Sequence, residues 1–214
     1  MRVLLTGIAF TLAATALTAT APAQQAPAQR VAPTFLPPSV SGSEAFLEGW
    51  FAAEYRSAGL EPLWPASAVR GYRARYRLLS AGDGSGATII TIDVDEDGSG
   101  VVTSTRLRPG KMIEKAGRVK YIAGRVMWED SVLITAAQSS KFRRMLDAEG
   151  FSRRSFRSVV IGDDAGCANG GSYLIEVHDR RGGYNAIVRD HCDVRDARTL
   201  IDSIMRFGGR KMPG

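Results

Sequence analysis

Apolar and polar side chains alternate along several short stretches of the chain, and this period of two is typical of half-buried β-strands. Residues 71–80 (GYRARYRLLS) place tyrosine, alanine and leucine on one face and three arginines on the other. Residues 87–95 (ATIITIDVD) and 100–108 (GVVTSTRLR) are rich in β-branched residues, and the EDGS between them suits a hairpin turn. Residues 172–192 (SYLIEVHDRRGGYNAIVRDHC) predict a second hairpin.

A period of 3.6 residues marks three further stretches as helices with one apolar face each. The first, residues 41–60, opens with a capping box made by Ser41 and Glu44. The second starts at Ser139 or Ser140 and ends at Gly150, and the third has Asp193 as its cap. The predicted buried faces are Phe46, Leu47, Trp50, Phe51 and Tyr55, then Phe142, Met145 and Leu146, then Ala197, Leu200, Ile201, Ile204 and Phe207.

The stretch between residues 118 and 135 mixes both periods, and we expect one or two short strands there, around Val119–Ile122 and Val132–Thr135. Strands and helices otherwise come in groups, joined by hairpins rather than crossovers. This order predicts an α+β fold, an antiparallel β-sheet of hairpins with about three flanking α-helices packed on one face.

The first residues are expected to lie outside this fold. Residues 1–23 combine Arg2, an apolar run and small residues, which is the layout of a secretory signal peptide cleaved between Ala23 and Gln24. The run is shorter than the roughly 20 residues that span a bilayer. Residues 24–40, rich in Pro, Ala and Gln, predict a flexible tether, which leaves 41–214 as a single α+β domain. We therefore expect a periplasmic or secreted protein with no transmembrane segment in the mature chain.

The chain is mildly basic, with 28 Lys and Arg against 22 Asp and Glu and a net charge of +6. The charge is spread out, and no nucleic-acid-binding motif accompanies it, so nucleic acid is not an expected partner. The alternate arginines Arg73, Arg75 and Arg77 predict a basic outer face on their strand. That face is a candidate site for an anionic envelope component, and the other interpretation is an ordinary solvated surface.

Both cysteines and both histidines of the chain fall within residues 166–192. In an exported protein, Cys167 and Cys192 predict a disulfide. With the hairpin turn centred between Arg181 and Gly182, His178 lies beside the turn and His191 about six residues along the partner strand. The two imidazoles are then roughly 20 Å apart, too far to share one zinc ion, and we expect no metal there.

The same turn fixes the expected pairing of the second hairpin. Ile175 should face Val188, and Val177 should face Ala186, on an apolar side that meets the core. A slip of one residue would change this pairing across the strands.

A calcium site is a second interpretation of the acidic turn DVDEDG. Asp93, Asp95, Asp97 and Gly98 match the first half of an EF-hand loop. The twelfth position of such a loop is a bidentate Glu, whereas here it is Ser104, within a predicted strand. A polar turn between two strands explains the same residues.

Signature motifs of serine hydrolases, zinc proteases and nucleotide-binding loops are missing from the sequence. An enzyme would have to use Glu176, His178 or His191, and the acids next to the histidines point to the opposite face of a strand. We therefore predict no cofactor and no catalytic residue.

The sequence from the LDAEGF helix to GGSYLIEV and GGYNAIVRDHC resembles a group of uncharacterised exported alphaproteobacterial proteins without a known activity. That group has a W-x-x-E-G strand followed by a G-x-Y-H-x-V-x-R strand. Tyr173 and Glu176 stand here at the Trp and Glu positions, and Tyr184, Asn185 and Arg189 stand at the Tyr, His and Arg positions. The resemblance implies a periplasmic location and this architecture, and no activity. Glu176, Asn185 and Arg189 are further possible binding residues, if the fold brings them to one concave surface.

Taken together, these features predict a non-catalytic periplasmic domain that binds a partner protein or an envelope component. The alternatives are an anion- or calcium-dependent interaction module and a hydrolase acting on an envelope polymer.

Overall fold

The computed structural model describes residues 34–38, 45–82, 84, 86–115, 117–153, 171–190 and 197–209. The order of the strands in its main sheet is β6-β3-β2-β1-β7-β8, and every neighbouring pair is antiparallel. Strands β4 and β5 form a separate two-stranded sheet. The helices are α1 Ala45–Ser57, α2 Ala136–Ala148 and α3 Arg198–Phe207, and the strands are β1 Tyr72–Ala81, β2 Thr88–Asp95, β3 Gly100–Leu107, β4 Lys111–Lys115, β5 Arg118–Ile122, β6 Val126–Ile134, β7 Ser172–Asp179 and β8 Gly183–Asp190. The predicted α+β class is confirmed.

Helices cover both faces of the sheet, whereas the sequence predicted one face. Successive side chains of a strand point to opposite faces, so a central strand such as β1 supplies both cores. Leu78 packs with α2 and α3, and Leu79 packs with α1. The first core includes Tyr76, Leu78, Ile90, Ile175, Phe142, Leu146, Leu200, Ile201 and Ile204, and the second includes Leu36, Phe51, Tyr55, Leu79, Ile89, Leu174 and Val188. The tether predicted over 24–40 is therefore wrong for Phe35 and Leu36, which are buried in the second core.

The pairing of β7 with β8 differs by one residue from the prediction. Ile175 lies opposite Ile187, and Leu174 lies opposite Val188. Both faces of this hairpin are buried, so the apolar pattern could not fix the register, and the turn is centred on Arg181 rather than between Arg181 and Gly182.

Helix α2 begins earlier than predicted, at Ala136. Its cap is Thr135, whose hydroxyl accepts a bond from Gln138 N, while the Gln138 side chain accepts one from Thr135 N. Ser139 is instead buried and donates to Gly98 O. Gly150 ends the helix at φ 64°, and Phe151 packs with Leu146 as predicted. The predicted cap of α1 lies outside the described residues. Helix α3 begins later than predicted, because its N-cap is Ala197, which makes no side-chain cap bond, and not Asp193.

The region between β3 and α2 differs most from the sequence prediction. Strand β4 was not predicted, and β6 starts well before Val132. The large apolar side chains that are exposed in the described part of the chain all fall here: Met112, Val119, Ile122, Val126, Met127, Val132 and Leu133. Among the described helices, none has the length and apolar character needed to cross a membrane.

Candidate functional site

Strand β6 is one edge of the main sheet, and hydrogen bonds elsewhere fix which of its backbone groups face outward. Leu107 N donates to Ala87 O, and Asp95 N donates to Ser99 O, both at 2.8 Å. Odd-numbered residues of β3 therefore bond to β2, because backbone groups alternate in direction along a strand. The even-numbered residues of β3 must then bond to β6.

The register of β3 with β6 determines which residues of β6 bond to β3 and which point outward. Val102 faces Val132, and Ser104 faces Asp130, so the even-numbered residues of β6 bond inward. The N–H and C=O groups of Glu129, Ser131 and Leu133 point outward, where β6 has no strand partner among the described residues. A row of such groups is a template for another strand.

The side chains of β6 are apolar near its ends and acidic at its centre. Val132 is 60% exposed and Leu133 is 82% exposed, on opposite faces of the strand. Glu129 and Asp130 are exposed between the apolar ends. Asp130 Oδ1 accepts a hydrogen bond of 3.0 Å from Ser131 N, so this carboxylate occupies one of the outward donors. The centre of the edge is thereby blocked by the chain's own acid.

An open groove of about 560 Å³ runs beside β6 on the face that carries α2 and α3. Helix α3 ends over β3, where Ser104 Oγ donates to Gly208 O at 2.8 Å. A Cβ at Gly208 would lie 2.7 Å from Ile90 Cδ1, so glycine lets the helix end approach the sheet. The helix stops short of β6, and among the described residues nothing else covers the groove. Its lining comprises Val102, Ser104, Asp130, Val132, Leu133, Ile134, Gln138, Arg206, Phe207, Gly208 and Gly209.

A second hollow of about 460 Å³ continues from the groove between α2 and α3. The two share Gln138, Arg206 and Phe207, and Phe142 and Met145 extend the apolar floor. A surface with an apolar floor and a polar rim is typical of a protein-binding groove. We call the free edge of β6 and this groove the β6 site.

The arginine-rich strand does not present the basic outer face that its alternation predicted. Arg75 donates to both carboxylate oxygens of Asp93, at 2.7 and 2.8 Å. Arg77 lies 3.6 Å from a Glu176 oxygen, and the side chains of this pair are 3% and 0% exposed. Of the three arginines, only Arg73 is exposed, because α1 and the segment before β1 cover the rest of the face.

Glu176 belongs to a buried polar cluster. Tyr184 donates to Glu176 Oε1 at 2.9 Å, and Arg77 lies 4.6 Å above the Tyr55 ring. Burial and the charge of Glu176 raise the pKa of both tyrosines well above the ordinary value. The cluster joins α1 to β1, β7 and β8 and is closed to solvent at Glu176.

His178 lies beside this cluster. Its Nδ1 is 2.7 Å from Leu63 O, and its ring meets the Tyr184 ring edge to face. With the side chain 6% exposed, this histidine holds the segment before β1 against the sheet.

The possible binding residues Glu176, Asn185 and Arg189 do not form one site. Glu176 pairs with Ala186, whereas Asn185 pairs with Val177, so the side chains of Glu176 and Asn185 lie on different faces of the sheet. Asn185 donates to Phe151 O at 3.3 Å, beside a hollow of about 240 Å³ near the ion pair of Arg143 with Asp179. Arg189 is buried.

The structure places Asp93 and Asp95 at the end of β2 and Asp97 in the hairpin turn that follows it. The carboxylate of Asp93 is bound by Arg75, and Asp97 accepts from Ser99 N and Ser99 Oγ. Asp95 is exposed. Within the described ranges, no group of three metal-ligating side chains occurs. These contacts correspond to the polar turn considered from the sequence.

Cys167, Cys192 and His191 lie outside the described residues. Ser172 and Asp190 face each other in register, so β7 begins where β8 ends. Cys167 stands five residues before Ser172, and Cys192 stands two after Asp190. The disulfide stays a prediction, with both cysteines flanking the same end of one hairpin.

A second polar contact fixes the β4–β5 hairpin on α1. Tyr121 of β5 donates to Glu54, and its ring lies edge to face with Trp50 at 6.1 Å. Glu54 is buried, and burial raises the pKa of its carboxyl and that of Tyr121.

Sequence reasoning missed the β6 site because an edge strand exposed on both faces shows no clean alternation. The available signal was the acidic pair inside the apolar run VMWEDSVLI. Comparison with protein-family models, with curated proteins and with solved structures finds no match for this chain.

Proposed function

We propose that this chain is an exported, non-catalytic domain that binds a partner polypeptide by adding a strand to β6. The observation that carries the proposal is the free edge at Glu129, Ser131 and Leu133, which lies next to an apolar groove. In strand addition, main-chain hydrogen bonds provide affinity, and pockets for alternate side chains provide specificity. Export is proposed from the signal-like residues 1–23.

The content of the groove supports a binding role over a catalytic one. Its polar groups are Ser104, Asp130, Gln138 and Arg206, and the Ser104 hydroxyl is committed to Gly208 O. Asp130 faces Ser104 across the two strands, but the hydroxyl proton of Ser104 is donated to Gly208 O and not to Asp130, so the two are not arranged as a nucleophile and its general base.

The alternatives have less support. Anion binding would rely on Arg73, since Arg75 and Arg77 have acidic partners within the chain. Calcium binding would have to displace Arg75 from Asp93. A hydrolase using Glu176 would need access to a side chain that is fully buried.

Selection of random nine-residue peptides displayed on phage, followed by binding to two variants at one position, tests the proposal. Ser131→Pro removes an outward N–H that forms no bond to β3, so we expect it to keep the fold and to weaken peptide binding at least about tenfold. Ser131→Ala keeps the N–H and should bind like the wild type.

Equal binding of the selected peptides to both variants would contradict docking at β6, as would a selection that enriches nothing. Circular dichroism and thermal unfolding of Ser131→Pro establish that the variant is folded before its peptide binding is measured.

A further inference from the structure

The centre of β6 is acidic in a basic protein. The chain carries a net charge of +6, yet β6 contains Glu129 and Asp130 and no Lys or Arg. Because successive residues alternate between faces, Asp130 lies on the groove face and Glu129 on the other. A strand docked at this edge would therefore meet a carboxylate on each of its faces.

These charges disfavour a second copy of the chain as the occupant. A two-fold antiparallel pairing that overlaps all of β6 places Asp130 directly opposite Asp130, and like charges in that position are destabilising. The next register with the same hydrogen-bonding side sets Asp130 against Val132, and it still leaves the two Asp130 side chains as diagonal neighbours on one face. Acidic residues at the middle of an edge strand are a known defence against self-pairing.

A basic partner strand would turn the same charges into an attraction. Asp130 now holds the Ser131 N–H, so a strand that docks must release that donor before the ladder can form. A Lys or Arg opposite Asp130 offers its carboxylate a stronger, charge-assisted partner. The exchange frees Ser131 N–H for the incoming backbone.

The groove determines which side chain of the partner strand fits opposite Val132. The partner residue that faces Val132 points to the same side as the one that faces Asp130. It meets Val132, Val102 and Phe207 along the apolar floor. An aliphatic side chain there would bury apolar surface that is now exposed.

We propose that the partner segment is an extended strand with a Lys or Arg opposite Asp130 and an aliphatic residue opposite Val132. This inference rests on the proposed function and names the chemistry of its partner.

Three synthetic nine-residue peptides test it, identical apart from a central Lys, Gln or Glu within an alternating Thr/Val background. Binding is followed by fluorescence anisotropy of a labelled peptide. We expect the Lys peptide to bind about tenfold more tightly than the Glu peptide at low salt, with a smaller ratio at 0.5 M salt. In Asp130→Lys the order of the two should reverse, whereas the control Glu61→Lys, an exposed acid before β1, should keep the wild-type order.

The outcomes separate the two proposals. Equal binding of the three peptides that is still lost in Ser131→Pro overturns the charge inference and leaves the proposed function standing. Failure of all three peptides, with wild type and Ser131→Ala alike, overturns both. A dimer in sedimentation analysis that Ser131→Pro dissociates identifies a second copy as the occupant and also overturns the inference.

Discussion

Arg75 and Arg77 lie two residues apart on one face of β1, and their surroundings make them different. The pair of Arg75 with Asp93 is about a quarter exposed, while the pair of Arg77 with Glu176 is almost fully buried. Water screens the first pair, and little screens the second. Alternation alone could not distinguish them, because the cover comes from α1 and the segment before β1.

Arg77→Met is expected to lower the free energy of unfolding by about 3 kcal/mol, since it leaves Glu176 as an uncompensated buried charge. Arg75→Met, the matched change on the same strand, should cost less than about 1 kcal/mol. Urea denaturation of both variants measures the difference. Replacing Glu176 by Leu in the Arg77→Met background should recover part of the loss, and equal costs for the two single variants would contradict the assigned roles.

Glu54 gives the fold a pH dependence. Burial raises the pKa of its carboxyl above the ordinary value of 4.5. The unfolded chain then ionises first, so the contribution of this group is fully present below pH 4.5 and is lost as the pH rises through the folded-state pKa. Glu54→Gln cannot ionise and can still accept the Tyr121 hydroxyl.

We therefore expect the stability of Glu54→Gln relative to wild type to increase from pH 4.5 to pH 7.5, as measured by urea denaturation at both values. The exposed Glu61→Gln serves as the control and should show no such trend. A relative stability that stays constant or falls with pH would show that the carboxylate is not penalised in the folded state.

Among the elements, the central strands β1 and β2 were predictable from the sequence, whereas the full extent of the edge strand β6 was not. Residues 71–80 were predicted from their alternation and 87–95 from their β-branched content, and both form strands with a paired strand on each side. Strand β6 is exposed on both faces over most of its length, so burial imposes no pattern on it. The missed start of α2 has a similar origin, because Thr135 and Gln138 form a capping box just before two serines that looked like better caps.

At the scale of the molecule, the α+β class follows from the order of hairpins and helices, while the sides that the helices cover do not. Six strands separate α1 from α2 along the chain and eight separate it from α3, and no local sequence feature indicates that α1 packs on the opposite face. The dispersal of Glu176, Asn185 and Arg189 has the same cause. A one-residue change in register decides which side chains share a face.

The predicted disulfide would join the segment before β7 to the segment after β8, at the end of the hairpin where Ser172 faces Asp190. Thiol labelling of the denatured, unreduced protein should find no free cysteine, and reduction should lower the free energy of unfolding by about 3 kcal/mol through the closed loop of Cys167 and Cys192. The double variant with serine at both positions provides the unlinked reference. Two reactive thiols before reduction would contradict the predicted disulfide.

Amide hydrogen exchange reports at single residues whether a partner strand is added at β6. With a saturating Lys-centred peptide, we expect exchange to slow at least about tenfold at Glu129, Ser131 and Leu133, whose N–H groups point outward. Asp130 and Val132 already bond to β3 and should change little. Peptide binding that leaves those three amides exchanging at their free rates would contradict strand addition at this edge.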